Sequence, residues 1–335
     1  MRADTPFQAF VLREEKDGGV RGGIEPWTLD QLPEGDVTVK VSYSGVNYKD
    51  GLASIREGKI VRKYPFIPGI DLAGTVMTSS HPDFQPGDKV LCTGYEVGVS
   101  HDGGYSEYAR VRGDWLVPLP SGLLAREAMA IGTAGFTAAL SVDALLRSGL
   151  RPDQGPVLVT GATGGVGSFA VSILSRLGYH VTAATGKPDV ADWLRSVGAS
   201  EVVSRDEAAG SGKGALSDQR WAAAVDPVGG AQLGEILKHV KYGGAVAVSG
   251  MTGGRSFESS VYPFILRGVS LFGIDSVYCP MERRTAIWSR LANEWKPEQV
   301  LAHGIAEYNL DQLPELLHNI LQGKAIGRSV IVVEK

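Results

Sequence analysis

Along residues 7–125, short apolar stretches alternate with turn signals. "FQAFVL", "DVTVKVSYSGV", "LAGTVMTS", "DKVLCTGY", "YSEYARV" and "WLVPLP" are rich in β-branched and aromatic residues, and "PEGD", "HPDFQPGD" and "HDGG" separate them. This pattern predicts a β-rich, barrel-like domain. Near residue 128 the period changes. "AMAIGTAGFTAALSVDALL" has helical composition, and the apolar strands "PVLVTG", "HVTAAT", "EVVS", "WAAAVDPVG", "GAVAVSG" and "VSLFGIDSV" then alternate with helices. One helix lies around "DVADWLRSVGA" and another runs to Tyr242. Such alternation predicts right-handed βαβ units and a parallel sheet covered on both faces. After Pro280, helical "MERRTAIWSRLANEW" and "LPELLHNILQG" lead to a strand, "GRSVIVVE", expected to rejoin the first domain. The expected fold is therefore α/β: a β-rich domain from residues 1–127 and 278–335, and a doubly wound domain at 128–277.

The strongest local signal is "VLVTGATGGVGSFAVSILSRLG", an apolar strand, a glycine-rich turn and a helix with Val166, Ala170, Ile173, Leu174 and Leu177 on one face. Against the spacing G-x-G-x-x-G, Ala162 takes the first position and Gly164 and Gly167 the next two. Gly164 and Gly165 let the backbone approach a pyrophosphate at the helix N-terminus, and Gly167 lets the helix pack close to the strand. Thr163, Gly164, Gly165, Val166 and Gly167 form the candidate phosphate cradle. A mononucleotide P-loop is excluded, because Ser168 follows Gly167 and no Lys-Ser/Thr pair is present.

A dinucleotide fold selective for NAD ends its second strand with Asp or Glu on the ribose hydroxyls. Here that strand ends in Thr185, Gly186 and Lys187, a hydroxyl, a flexible glycine and a cation. Arg205, after the third strand, is placed to add a second cation. These residues suit a 2'-phosphate, so NADPH is the expected cofactor.

Composition narrows the remaining classes. The 335 residues are long enough for two domains, and 43% hydrophobic with 21% charged residues is an ordinary globular balance. A formal net charge of −4 with mixed signs gives no field for nucleic acid. Cys92 and Cys279 stand far apart, without metal-ligand spacing, which argues against a disulfide framework and a structural zinc lobe. The first residues lack the apolar core of a signal peptide, and no apolar run suggests a membrane span. The expected setting is the cytoplasm.

One polar cluster remains, "SGVNYKDGL" at residues 44–52, with Asn47, Tyr48, Lys49 and Asp50 in succession. Lys49 and Asp50 read as a local ion pair or a helix start. Tyr48 carries a phenol able to donate a proton or hydrogen bond.

The order of motifs, "PGIDLAGTV", "GDKVL", "GTAGFTAAL" and "GATGGVG", resembles the medium-chain dehydrogenase/reductase superfamily, with a GroES-like domain and a Rossmann domain. "NYKD", "IPGID", "GDWLV", "IGTAGFTA", "YGG" and "PFILRGV" look like its zinc-free, quinone oxidoreductase-like branch, which includes NADPH-dependent acryloyl-CoA reductases. Zinc-dependent members carry Cys where this chain has Asn47, and His-Glu where it has Ile70 and Asp71. An amide and an aliphatic side chain cannot replace a thiolate and an imidazole, so no metal site is expected.

The resemblance implies hydride transfer from NADPH to the β-carbon of a short enoyl-CoA. Tyr48 is the expected donor, assisted by Asn47, with solvent as an alternative source of the α-proton. It also implies cofactor contacts at Tyr48, Met251, Ile265 and Ser276, and a homodimer paired through "VSLFGIDSV". Arg56, Lys59, Arg62 and Lys63 form a basic stretch suited to the CoA phosphates. A quinone or enone reductase and a non-catalytic NADPH sensor are the competing functions.

Overall fold

The computed structural model describes residues 4–210 and 214–334. The chain divides into two compact units, Met1–Thr133 with Val277–Ala292 and Ile305–Lys335, and Ala134–Ser276 with Asn293–Gly304.

The first unit begins with an antiparallel hairpin, β1 (Phe7–Glu14) and β2 (Val20–Trp27), with Phe7 opposite Trp27. Its main sheet contains β3 (Val37–Gly45), β4 (Asp71–Ser79), β5 (Lys89–Thr93), β6 (Tyr108–Val111) and β7 (Val117–Pro118). The short helix α1 (Tyr48–Ala53) follows β3. Late in the chain, after α8 (Met281–Ala292), β14 (Ile305–Asn309) and β15 (Arg328–Val332) join this sheet in the order β14-β15-β3-β4-β5-β7, with β6 also on β3. Strand β15 runs antiparallel to β3, so "GRSVIVVE" does return to the β-rich unit. Val37, Val39, Val41, Leu72, Val76, Val90 and Val111 make the buried core. Each contributes about 1.5–3 kcal/mol on leaving water.

Helix α1 stands where the sequence suggested a local ion pair or a helix start. Asn47 has extended backbone, and its N–H donates to Asp50 Oδ2 at 2.8 Å, tying off the first turn. Gly51 allows close approach to α10 (Leu313–Leu321), since a Cβ there would lie 2.9 Å from Ile320 Cγ2. The side chain of Asp50 makes no ion pair with Lys49; it is buried and accepts backbone N–H groups.

The unit boundary falls within α2 (Ala125–Arg147), whose helical dihedrals are interrupted at Gly132. By length and hydropathy this helix could cross a membrane, contrary to the expectation that no run was long and apolar enough. Its apolar residues serve the interior instead: 83% of the 18-residue window is buried.

The second unit contains β8 (Val157–Val159), α3 (Gly165–Arg176), β9 (Val181–Thr185), α4 (Ala191–Ser196), β10 (Glu201–Ser204) and α5 (Arg205–Ala209). It continues with β11 (Trp221–Asp226), α6 (Gly230–His239), β12 (Val240–Val248), α7 (Tyr262–Arg267) and β13 (Ser270–Gly273). Its strands are all parallel, in the order β10-β9-β8-β11-β12-β13. The order reverses between β8 and β11, and a doubly wound sheet opens its ligand crevice at such a reversal. Helix α6 ends at His239, before the expected Tyr242, because Val240 turns extended and pairs with Trp221. Residues 293–304 pack on this unit. Glu298 in α9 (Glu298–His303) meets Arg176 at 2.9 Å, and Trp193 Nε1 donates to the His303 carbonyl at 3.1 Å.

Candidate functional site

The glycine turn occupies the C-terminal end of β8. Gly164 is extended (φ −82°, ψ 175°) and caps α3, and Gly165 is the first helical residue. Thr163 and Gly167 are buried, while Gly164, Gly165 and Val166 are half-buried. A Cβ on Gly167 would lie 2.3 Å from the Gly161 carbonyl and 2.7 Å from Ala162 Cα, so only glycine lets the helix sit this close to the turn. A Cβ on Gly164 meets nothing nearer than 3.4 Å. The backbone there is open to an incoming group, as a pyrophosphate cradle requires. Sequence reasoning missed Asp226, at the end of β11. Its carboxylate accepts the Thr160 hydroxyl and the N–H groups of Val228 and Gly229, tying together the two loops at the sheet reversal.

Lys187 and Arg205 come together through strand register. Thr185 of β9 pairs with Ser204 of β10, which sets Gly186 beside Arg205. A Cβ on Gly186 would lie 2.8 Å from the guanidinium carbon. The Thr185 hydroxyl accepts the Lys187 N–H at 3.0 Å. Partial burial, and then the charge of Arg205, push the Lys187 ammonium below its usual value. Two like charges held together favour an anion between them, and the sequence puts no carboxylate at the end of β9.

The ends of β12 and β13 frame a depression lined by Val248, Ser249, Gly250, Met251, Gly273, Ile274 and Asp275. Met251 is thus brought to the edge of this open depression, 59% exposed. Ser276 and Ile265 are not among its lining residues. Ser276 follows directly after Asp275, and Ile265 lies on α7 with 69% of its surface exposed.

In the first unit, Tyr48 is the first residue of α1 and 39% exposed. Among the described residues its hydroxyl has no hydrogen-bond partner. Asn47 beside it is buried and donates from Nδ2 to Asp71 Oδ2 at 2.7 Å. Asp71, at the start of β4, also accepts the Thr133 N–H at 2.9 Å and the Thr133 hydroxyl at 2.5 Å. Arg328 Nη2 lies 3.9 Å from the same carboxylate. Burial raises the Asp71 carboxyl, and Arg328 and Thr133 oppose that rise. Asp50 accepts N–H groups from Asn47 and Ile70 and makes no ion pair among the described residues; burial, then repulsion by Asp71, push it up to about 7.

Among the described residues no group of three or more His, Cys, Asp or Glu is placed to hold a metal. Burial pushes the Cys92 thiol up to about 12, which keeps it protonated and unreactive. The basic stretch is thinner than the sequence suggested. Arg56 is engaged by Glu14, while Lys59, Arg62 and Lys63 are exposed.

Comparison with known proteins agrees with this architecture. Residues 33–121 match the family described as "Alcohol dehydrogenase GroES-like domain", and residues 165–293 match "Zinc-binding dehydrogenase". "Putative quinone oxidoreductase YhfP" of Bacillus subtilis is 54% identical over 98% of this chain and 99% of its own. The crystal structure of YhfP with NAD bound superposes with a TM-score of 0.95, at 53% identity over 98% of this chain and 100% of that one. "Acrylyl-CoA reductase AcuI" of Ruegeria pomeroyi is 51% identical over 98% of this chain and 99% of its own. The yhdH oxidoreductase of Salmonella enterica, solved in complex with NADP, gives a TM-score of 0.94 at 46% identity, covering 98% of this chain and 100% of that one. With relatives this similar along their whole length, the chain belongs to the medium-chain dehydrogenase/reductase superfamily, on the quinone oxidoreductase-like branch that includes acrylyl-CoA reductases.

Proposed function

We propose that the protein is an NADPH-dependent reductase of the C=C bond of a short enoyl-CoA, with acryloyl-CoA converted to propanoyl-CoA. The observation that carries the cofactor is the Lys187 and Arg205 pair beside Gly186, which matches a 2'-phosphate. The substrate rests on 51% identity to a protein named as an acrylyl-CoA reductase. In this reading the second unit binds the cofactor and the first acts on the thioester. Thr163, Gly164, Gly165, Val166 and Gly167 hold the pyrophosphate, Thr185, Gly186, Lys187 and Arg205 the 2'-phosphate, and Met251, Ile265 and Ser276 the nicotinamide half.

NADPH supplies the hydride for the β-carbon of the substrate. The chain's own residues then stabilise the enolate that results. Tyr48, whose phenol has no hydrogen-bond partner among the described residues, donates to the enolate oxygen or delivers the α-proton, and Asn47 positions the reacting groups. Asn47 and Ile70 supply neither a thiolate nor an imidazole, so the reaction runs without zinc, using the activation already present in the thioester. Arg62 and Lys63 meet the CoA phosphates. Strand β13 is an edge strand, and Ile265 and Leu266 on α7 are exposed, which supports a homodimer. Two buried free cysteines suit a reducing cytoplasm.

The 54% identity to YhfP favours a second reading, reduction of quinones or enones. Following NADPH oxidation with acryloyl-CoA, with a simple quinone and without acceptor separates the two. Oxidation with the quinone alone rejects the enoyl-CoA assignment.

A further inference from the structure

Behind Asn47 the first unit buries charge that its core does not require. Asp50 and Asp71 are fully buried, and Arg328 is 4% exposed. Arg328 is fixed by two carbonyls, Nε to Ala130 at 2.8 Å and Nη1 to Val46 at 2.7 Å. Helix α2 is broken to serve the same point. Gly132 adopts φ 49° and ψ −157°, and the next residue, Thr133, turns both its N–H and its hydroxyl onto Asp71. The space is closed as well, because a Cβ on Gly132 would lie 2.4 Å from Asp71 Oδ2. A buried ion pair is rarely more stabilising than apolar packing of the same volume. Its convergence on one carboxylate therefore points to placement.

The group being placed is the Asn47 amide. A carboxylate only accepts, so the amide must turn its NH2 end towards Asp71, and one of its two flips is removed. The Asn47 carbonyl oxygen is then turned to the first turn of α1, towards the Asp50 N–H, and its second N–H is left for other partners. We propose that Asp71, held by the two hydrogen bonds of Thr133 and facing the Arg328 charge at 3.9 Å, is a positioning residue for Asn47 that fixes which amide atoms the reaction meets. This rests on the reading that Asn47 acts in the reaction.

Neutralising both charges together, Asp71→Asn with Arg328→Gln, avoids stranding a single buried charge. This pair, Asn47→Ala, and the three changes combined are compared with the wild type for kcat and KM towards acryloyl-CoA and NADPH. The neutral pair and Asn47→Ala should each lower kcat by about tenfold or more, through misplacement of the reacting groups. The combination should fall within about twofold of Asn47→Ala alone, the sign of residues acting through one another. KM for NADPH should stay within about twofold of wild type, and kcat is referred to the NADPH-binding fraction measured by titration, because a lost folded fraction lowers apparent kcat without moving KM. Wild-type kcat in the neutral pair, or effects that multiply in the combination, would overturn the proposal.

A second measurement does not depend on turnover. In asparagine-labelled protein, the Asn47 side-chain amide, assigned by its loss in Asn47→Ala, should exchange with solvent about tenfold faster in the neutral pair. Unchanged exchange overturns the proposal even if the wild type reduces neither substrate. A wild type inactive towards acryloyl-CoA but with the expected exchange shift condemns only the reductase reading.

Discussion

Two glycines three residues apart should respond oppositely to the same added methyl group. In Gly167→Ala the Cβ meets backbone at 2.3 and 2.7 Å, and no rotamer change can relieve it. Overpacking of this kind costs about 1–3 kcal/mol or more. For a protein of 335 residues, with an unfolding entropy of about 2.1 cal/mol/K per residue, that lowers the melting temperature by roughly 1–2 °C per kcal/mol. In Gly164→Ala the nearest atom is 3.4 Å away and φ is −82°, so the methyl fits the unliganded fold. Its cost as a helix cap is below about 1 kcal/mol. The methyl nevertheless stands at the α3 N-terminus, where the pyrophosphate must approach the backbone. The expected loss is about tenfold or more in NADPH affinity, about 1.4 kcal/mol. Thermal melts and NADPH fluorescence titrations on both variants test the contrast. If Gly164→Ala binds NADPH as the wild type does, the phosphates do not dock on this turn.

Replacing Lys187 and Arg205 together by Ala should raise KM for NADPH by about tenfold or more and leave KM for NADH nearly unchanged, since only the 2'-phosphate uses the two cations; equal effects on both cofactors would refute that role. Tyr48→Phe should lower kcat by about a hundredfold with an unaltered melt, because the phenol is exposed and holds nothing in place. Unchanged kcat removes it from the chemistry. Arg62→Ala with Lys63→Ala should raise KM for the CoA ester and spare that for NADPH; if neither KM moves, the CoA phosphates bind elsewhere.

Asp50 gives a pH signature. Its carboxyl titrates near 7 when folded against an ordinary value of 3.8, so the folded state holds the extra proton between those values and stability falls as pH rises through them. The full span is worth about 4 kcal/mol at most. Asp50→Asn should therefore flatten the shift in denaturation midpoint between about pH 4 and 7. An equally steep shift in the variant would show that Asp50 is not its source.

Most of the architecture was legible because it is written in local period. The six parallel strands, the glycine turn and the returning C-terminal strand each carry their own apolar pattern. Strand β2 escaped notice since Gly22, Gly23 and Pro26 dilute its alternation. Helix α1 was legible only as a helix start at Lys49 and Asp50, because six residues are too few to show a helical period. The two cations at Lys187 and Arg205 were readable, as parallel neighbours place consecutive strand ends side by side. The Asp71 network was not, because Asn47, Thr133 and Arg328 come from distant parts of the chain and meet only in the folded unit. The available hints were a carboxylate inside the apolar "GIDLAG" and a glycine interrupting an apolar helix.

The most direct test of the account is NADPH consumption by the purified wild type given acryloyl-CoA, with propanoyl-CoA measured alongside. One propanoyl-CoA is expected for each NADPH oxidised, at a rate well above that with a simple quinone. Turnover with the quinone and none with acryloyl-CoA would contradict it.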